Sequence, residues 1–134
     1  MVLMDTITKG RLGYNLLEKE LLKRNWELFV PLLENGKVDL IAVKENKLLK
    51  FQIKTMGLDK RTNTKHMPVR KISHNQGKYK VHFYTADEID YFVGSDIDDE
   101  ILYIVPIEFV QNYTSRISER TLQPYKNNFD QLEK

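Results

Sequence analysis

Between Thr8 and Asn25 the leucines recur as they would on one face of a helix. Leu12, Leu16 and Leu17, then Leu21 and Leu22, are spaced four or five residues apart with charges between them. Thr6 or Thr8 is placed to cap the start, and Asn25 lies near the end. Trp26 to Leu33 reads as a strand, and Glu34-Asn35-Gly36 as a turn. Lys37 to Lys44 and Lys47 to Thr55 read as the two arms of an antiparallel hairpin closed by Glu45-Asn46. From Met56 to Gly77 the periodicity is lost among Lys, Arg, Thr and Asn, as expected of a functional or mobile loop. Alternation returns from Lys78 to Thr85. Ile89 to Val93 and Ile101 to Val105 are short apolar strands separated by the acidic turn Ser95 to Glu100, and Pro106 stops the second. The polar tail from Ser115 ends in a helix expected over Pro124 to Leu132. A helix, several strands and a mixed end predict an α/β or α+β chain with the sheet as scaffold.

Composition narrows this picture. A chain of 134 residues, 41% hydrophobic, supports one domain with one core. The absence of Cys removes disulfides, thiolate zinc sites and cysteine nucleophiles. The longest apolar run, about Leu28 to Leu33, is too short to cross a bilayer. Met1-Val2-Leu3-Met4-Asp5 lacks the basic start and apolar run of a signal peptide, so a cytoplasmic protein with no membrane partner is expected.

Charge is more informative locally than in sum. The formal net charge is +2, yet residues 59–80 carry seven Lys or Arg against one Asp, and residues 81–108 carry eight Asp or Glu with no Lys or Arg. A basic segment this dense suits a polyanion such as nucleic acid. It also suits a solvated loop that balances an acidic neighbour.

The chemistry concentrates in Gly36-Lys37-Val38-Asp39-Leu40-Ile41-Ala42-Val43 and Phe51-Gln52-Ile53-Lys54-Thr55. Asp39 interrupts a run that otherwise reads as buried, where a carboxylate needs a partner, a metal or solvent. Gln52 and Lys54, at i and i+2, share one strand face. The hairpin brings Asp39 near both, giving two oxygen ligands for a hard divalent cation with an ammonium beside them.

Asp39, twelve residues, then Gln52-Ile53-Lys54 resembles the catalytic signature of the PD-(D/E)XK nuclease superfamily, with Gln in the second acidic place. Lys9-Gly10 opening a helix before the first strand is similar to the start of that fold in resolvases and homing endonucleases. Glu88-Ile89-Asp90-Tyr91-Phe92 and Tyr103-Ile104-Val105-Pro106-Ile107 are similar to the distal part of a bacterial subgroup. That subgroup includes intron-encoded homing endonucleases, whose signature carries Gln at the same place. The resemblance implies a restriction-endonuclease-like α/β core, a mixed central β-sheet flanked by helices. It makes residues 1–134 a single domain, with its core at about 8–110 and a C-terminal extension at about 111–134. It implies a Mg²⁺-dependent DNA endonuclease, with Mn²⁺ able to substitute, of homing or Holliday-junction type. Cutting both strands of double-stranded DNA takes two sites, hence a homodimer or higher homo-oligomer. The implied metal contacts are Asp39, Gln52 and Ile53, and the implied catalytic residues are Asp39, Gln52, Lys54 and Glu18.

Two departures from the family pattern leave alternatives open. Gln52 supplies an amide oxygen where most of the superfamily has a carboxylate. The family's helix acid aligns with Tyr14; Glu18 lies one turn further along the same face, where it either reaches the site or pairs with a surface Lys. A catalytically silent DNA-binding module and an interaction protein with a buried Asp39–Lys54 salt bridge are therefore the competing readings. Lys60, Arg61, Lys65, Arg70, Lys71, Lys78 and Lys80 follow the catalytic strand and are the expected DNA contacts, though sheet edges also carry Lys for solubility. Tyr79, Phe83, Tyr91, Phe92 and Tyr103 are expected in the core or a subunit interface.

Other chemistries find little support. His66, His74 and His82 form no tight pair, His74-Asn75 lacks the second histidine of a ββα-metal nuclease, and no Gly-rich phosphate loop is present. Ser73, Ser95, Ser115 and Ser118 lack a nucleophile-elbow context.

Overall fold

A computed structural model of the chain describes residues 4–33 and 36–134, with side chains at all of these but 74 and 75. The predicted turn at residues 34–36 thus lies mostly outside the described residues. Helix α1 spans Thr6–Lys23. Its cap is Asp5, one residue before the expected threonines: the carboxylate accepts from the Thr8 N–H at 2.7 Å and satisfies one orphan donor of the first turn. Asn25, at φ 69°, ends the helix in the left-handed conformation.

Among the described residues the strands that follow are β1 (Glu27–Phe29), β2 (Leu40–Lys44), β3 (Lys47–Thr55), β4 (Gly57–Asp59), β5 (Thr64–Pro68), β6 (Arg70–Asn75), β7 (Lys78–Phe83), β8 (Tyr91–Asp96), β9 (Ile101–Pro106) and β10 (Arg116–Ser118). A short helix α2, Ile107–Val110, follows β9 directly. The main sheet runs β1-β2-β3-β8-β9, with β3 and β8 parallel and the other pairs antiparallel. This is the mixed central sheet expected.

The parallel pair explains the stretch in which periodicity is lost. Parallel neighbours need a long crossover, and residues 56–90 are that crossover, built from strands. β4 and β5 join β10 in a three-stranded sheet, while β6 and β7 form a two-stranded ribbon. The reading of 56–77 as a structureless loop is thus corrected. The sheet needs the distant pairing of Met67 with Ile117, which local pattern cannot show. The expected strand from Trp26 shortens to three residues, and Leu32 beyond it is 97% exposed.

Two apolar layers sandwich the main sheet. On the α1 side Leu17 and Leu21 meet Leu40, Phe51, Val93 and Ile104, joined by Phe129 and Leu132. On the other side Met67, Phe92, Tyr103, Val105, Ile117 and Leu122 pack together. Small residues on β8 let both layers close. A Cβ on Gly13 of α1 would lie 2.4 Å from Ser95 Oγ, and one on Gly94 would lie 2.9 Å from Met56 Sδ.

The tail makes β10 and two 3₁₀ turns, Gln123–Tyr125 and Asp130–Glu133, instead of the helix expected over Pro124–Leu132. Asn127, at φ 50°, breaks that helix, and its Oδ1 accepts from the Leu102 N–H at 3.0 Å. The tail thereby covers the outer edge of β9.

Candidate active site

Asp39 sits just before β2, where the ladder with β3 slips. Leu40 pairs with Phe51, but the Asp39 N–H also donates to the Phe51 carbonyl, at 2.9 Å, one residue out of step. The Asp39 carboxylate then takes the place of a backbone acceptor: Oδ2 accepts from the Ile53 N–H at 2.8 Å. A side chain bonded this way lies near the plane of the sheet, at the gap where the strands part. Since N–H and C=O of one strand residue point the same way, the Ile53 carbonyl is directed at the same gap.

Gln52 and Lys54 share the strand face that turns away from α1, because Phe51 and Ile53 pack on the α1 side. Gln52 is only 8% exposed, and its Oε1 has no hydrogen-bond partner among the described residues. Lys54 Nζ lies 5.7 Å from the ring centre of Tyr84. Burial pushes the Asp39 carboxyl up; the Ile53 N–H, Lys54 and Lys71 pull it back only in part. Burial likewise pushes the Lys54 ammonium down, opposed by Asp39 and reinforced by Lys71. Both groups therefore carry charge at a cost in the free protein.

The α1 side of the gap opens into a cleft of ≈ 410 Å³, lined by Arg11, Tyr14, Val30, Asp39 and Ile53 among others. Ile7, Gly10, Arg11 and Tyr14 fall at helical spacing, so one stripe of α1 forms this wall. Tyr14, the residue aligned from sequence with the family's helix acid, lines this wall, and burial pushes its hydroxyl up, with Glu18 next in effect. Glu18 is half-buried one turn away and does not line the cleft.

Among the described residues no three His, Cys, Asp or Glu side chains converge to hold a metal. The oxygen donors available here are the Asp39 carboxylate and the Ile53 carbonyl at the gap and, one residue before Ile53 on β3, the buried Gln52 Oε1, which has no hydrogen-bond partner among the described residues. A buried acceptor without a donor is costly unless something electropositive meets it. An all-oxygen set with a single carboxylate fits a hard divalent cation such as Mg²⁺.

The basic residues divide by structure. Lys65 is committed: its Nζ lies 2.9 and 2.8 Å from the two oxygens of Asp96, which is 4% exposed. Lys60 and Arg61 are exposed at the β4–β5 turn. The β6–β7 ribbon pairs Arg70 with Phe83 and Lys71 with His82, and closes through Gln76 and Gly77, both in the left-handed region at φ 52° and 78°. That two-residue turn matches the twist of the strands. By this register Lys71, Ser73, Lys78, Lys80 and His82 share one face, and Arg70, Ile72, Tyr79, Val81 and Phe83 the other. Tyr79 and Phe83 are exposed, unlike the buried Phe92 and Tyr103 with which they were grouped from sequence.

Sequence reasoning missed the group that ties the ribbon to the site. Glu88 accepts from Lys37, two residues before Asp39, and from the Thr85 N–H at 2.9 Å. It also lies 3.2 Å from His82 Nε2 at the foot of β7. These partners, Lys37 first, push the Glu88 carboxyl down to about 2. The His82 ring meets Tyr84 edge-on at 5.2 Å, completing a path to Lys54. Arg11 was also missed, although its three-residue spacing from Tyr14 was visible in the sequence.

A family model described as PD-(D/E)XK endonuclease matches residues 4–132. Among solved structures, the bacterial homing endonuclease I-Ssp6803I superposes with a TM-score of 0.85 over 96% of this chain and 93% of that one, at 21% sequence identity. A search of curated proteins finds no match. The similar structure establishes the fold, and the family match extends through the tail.

Proposed function

The chain belongs to the PD-(D/E)XK endonuclease family, and we propose that it is a Mg²⁺-dependent endonuclease that hydrolyses phosphodiester bonds in double-stranded DNA. The homing type is favoured over the Holliday-junction type by the Gln variant of the motif and by the structural similarity to a homing endonuclease. The observation that carries this reading is the gap between β2 and β3. There the Asp39 carboxylate accepts from the Ile53 N–H, the buried Gln52 Oε1 without a partner among the described residues lies one position earlier on β3, and the Lys54 charge is felt at Asp39.

A divalent cation bound by Asp39, Gln52 and Ile53, with Mn²⁺ able to replace Mg²⁺, would supply Lewis acidity toward phosphate and water. Lys54 orients the attacking water and stabilises negative charge as it develops on the phosphate. Its depressed affinity for a proton suits it to both tasks better than a solvated lysine. Lys71, whose charge is felt at both Asp39 and Lys54, brings the foot of the ribbon to the phosphate.

The ribbon has the dimensions to enter a major groove about 12 Å wide, with its Lys-rich face on the backbone. Lys60, Arg61 and Arg70 extend that surface. Lys65 stands apart as a structural residue. Glu18, proposed from sequence as a catalytic residue, is felt at Tyr14 by its charge and does not line the cleft. Because one chain offers one such site, cutting both strands calls for a homodimer or higher assembly.

The competing reading is a silent DNA-binding module, favoured by the single carboxylate at the gap. Incubating a randomised duplex library with the protein and Mg²⁺ or Mn²⁺ separates the two. Cleaved products that vanish with EDTA and with Asp39→Asn are expected. Binding without cleavage in either metal would establish the silent module.

A further inference from the structure

We propose that Arg11 is a further catalytic residue of the reaction proposed above, contacting the scissile phosphate from the helix side of the cleft. The inference rests on the nuclease reading. It begins from an imbalance of charge. Between Thr6 and Leu17 the helix carries Lys9 and Arg11 and no acid, and its first turn has no acidic residue. Cations near a helix N-terminus oppose the macrodipole, so helix stability does not explain them.

Arg11 also makes no ion pair or hydrogen bond among the described residues. Its guanidinium lies 5.2 Å from the ring centre of Tyr14, in the cleft shared with Asp39 and Ile53. A ring at that distance holds the cation by its face and leaves the in-plane N–H donors available. The exposed Arg11 thus rests over Tyr14, in the position where the family pattern has a carboxylate, in the wall of the cleft that Asp39 also lines.

The chemistry gives this placement a use. As the water oxygen bonds to phosphorus and the bond to the leaving strand end breaks, negative charge grows on the phosphoryl and leaving oxygens. The water's proton passes to solvent near Lys54, and the leaving oxygen is protonated from solvent. A site with one carboxylate holds less metal charge than one with two or three, and a guanidinium fork on the opposite side supplies the missing positive charge. Arg11 and Lys54 then flank the phosphate from the two faces of the sheet.

The test uses the best duplex recovered from a selection for cleaved sites. Single-turnover cleavage is measured with Mg²⁺, and affinity for the same duplex with Ca²⁺. Arg11→Ala should slow cleavage by about 10²–10³-fold and change Kd by less than about threefold, the signature of an interaction made mainly in the transition state. Arg11→Lys should recover only part of the rate, because an ammonium lacks the fork. Cleavage by Arg11→Ala within about threefold of wild type overturns the assignment and leaves the nuclease reading intact, as does a rate loss matched by an equal loss of affinity. A wild-type chain that yields no cleaved site in the selection overturns both.

Discussion

Strand β3 and the β6–β7 ribbon are both rich in lysine, and the fold treats them in opposite ways. β3 has a neighbour on each edge and an apolar layer on each face; Phe51 is fully buried within it and Gln52 nearly so. The ribbon strands pair only with each other, and Ile72 and Tyr79 are 46% and 71% exposed. On β3 Lys54 loses hydration and its ammonium is disfavoured. On the ribbon, Lys78 and Lys80 stay in water, as suits ions that must exchange counterions for phosphate. The proposed chemistry thus sits where the backbone is held from all sides, and the proposed substrate contact where the backbone can yield. Glu88, joined to both Lys37 and His82, is the hinge between the two regimes.

The sharpest way to test that contrast is to remove one lysine from each region. Lys54→Met, on β3, should slow single-turnover cleavage by about 10²–10³-fold, with duplex affinity in Ca²⁺ little changed. A rate near wild type would move the chemistry off this strand. The paired change Lys78→Ala with Lys80→Ala, on the ribbon, should do the reverse. Affinity should fall by about tenfold, and the slope of log K against log salt should drop by about 0.9 for each phosphate that is no longer neutralised. The rate from the bound state should hold. An unchanged slope would place the DNA surface elsewhere.

How much of this was legible in advance follows the same division. Strand β3 was read with its final boundaries, because a nine-residue apolar alternation next to a two-residue turn is a local signal. The motif on it was legible for the same reason: Gln52 and Lys54 need only the strand's period to share a face. The in-plane bond from the Ile53 N–H to Asp39 was not legible, because it depends on a slip in the ladder. β4 and β5 were missed because three- and five-residue strands with one buried side chain leave no period to detect. Their sheet exists only once β10 arrives from the tail. Glu88 reaches Lys37 far earlier in the chain, a contact no local pattern shows, whereas the i, i+3 spacing of Arg11 and Tyr14 was visible in the helix.

Lys65 gives the smallest expected effect on DNA and the finest test of the contrast, since its sequence neighbourhood is as basic as the ribbon's. Its ammonium is bound to Asp96, which raises its affinity for the proton. Asp96 is nearly buried on β8, so the pair fastens the crossover sheet to the main sheet. Among the described residues, Lys65→Met leaves that carboxylate with only a long hydrogen bond from the Asp99 N–H, at 3.5 Å. The loss should be about 1–3 kcal/mol of stability, the cost of stranding a buried acceptor, moderated because the lysine itself is partly in water. The sign with pH follows from the direction of the shift. A lysine whose folded value is raised contributes fully below its unfolded value of 10.5 and loses that contribution as pH rises through the folded value. Wild type should therefore melt above Lys65→Met at neutral pH, and the gap should close in strongly alkaline solution. The salt slope for duplex binding should be the same in both proteins. A reduced slope with an unchanged melting temperature would return Lys65 to the DNA surface, and the division between committed and solvated lysines would fail at that residue.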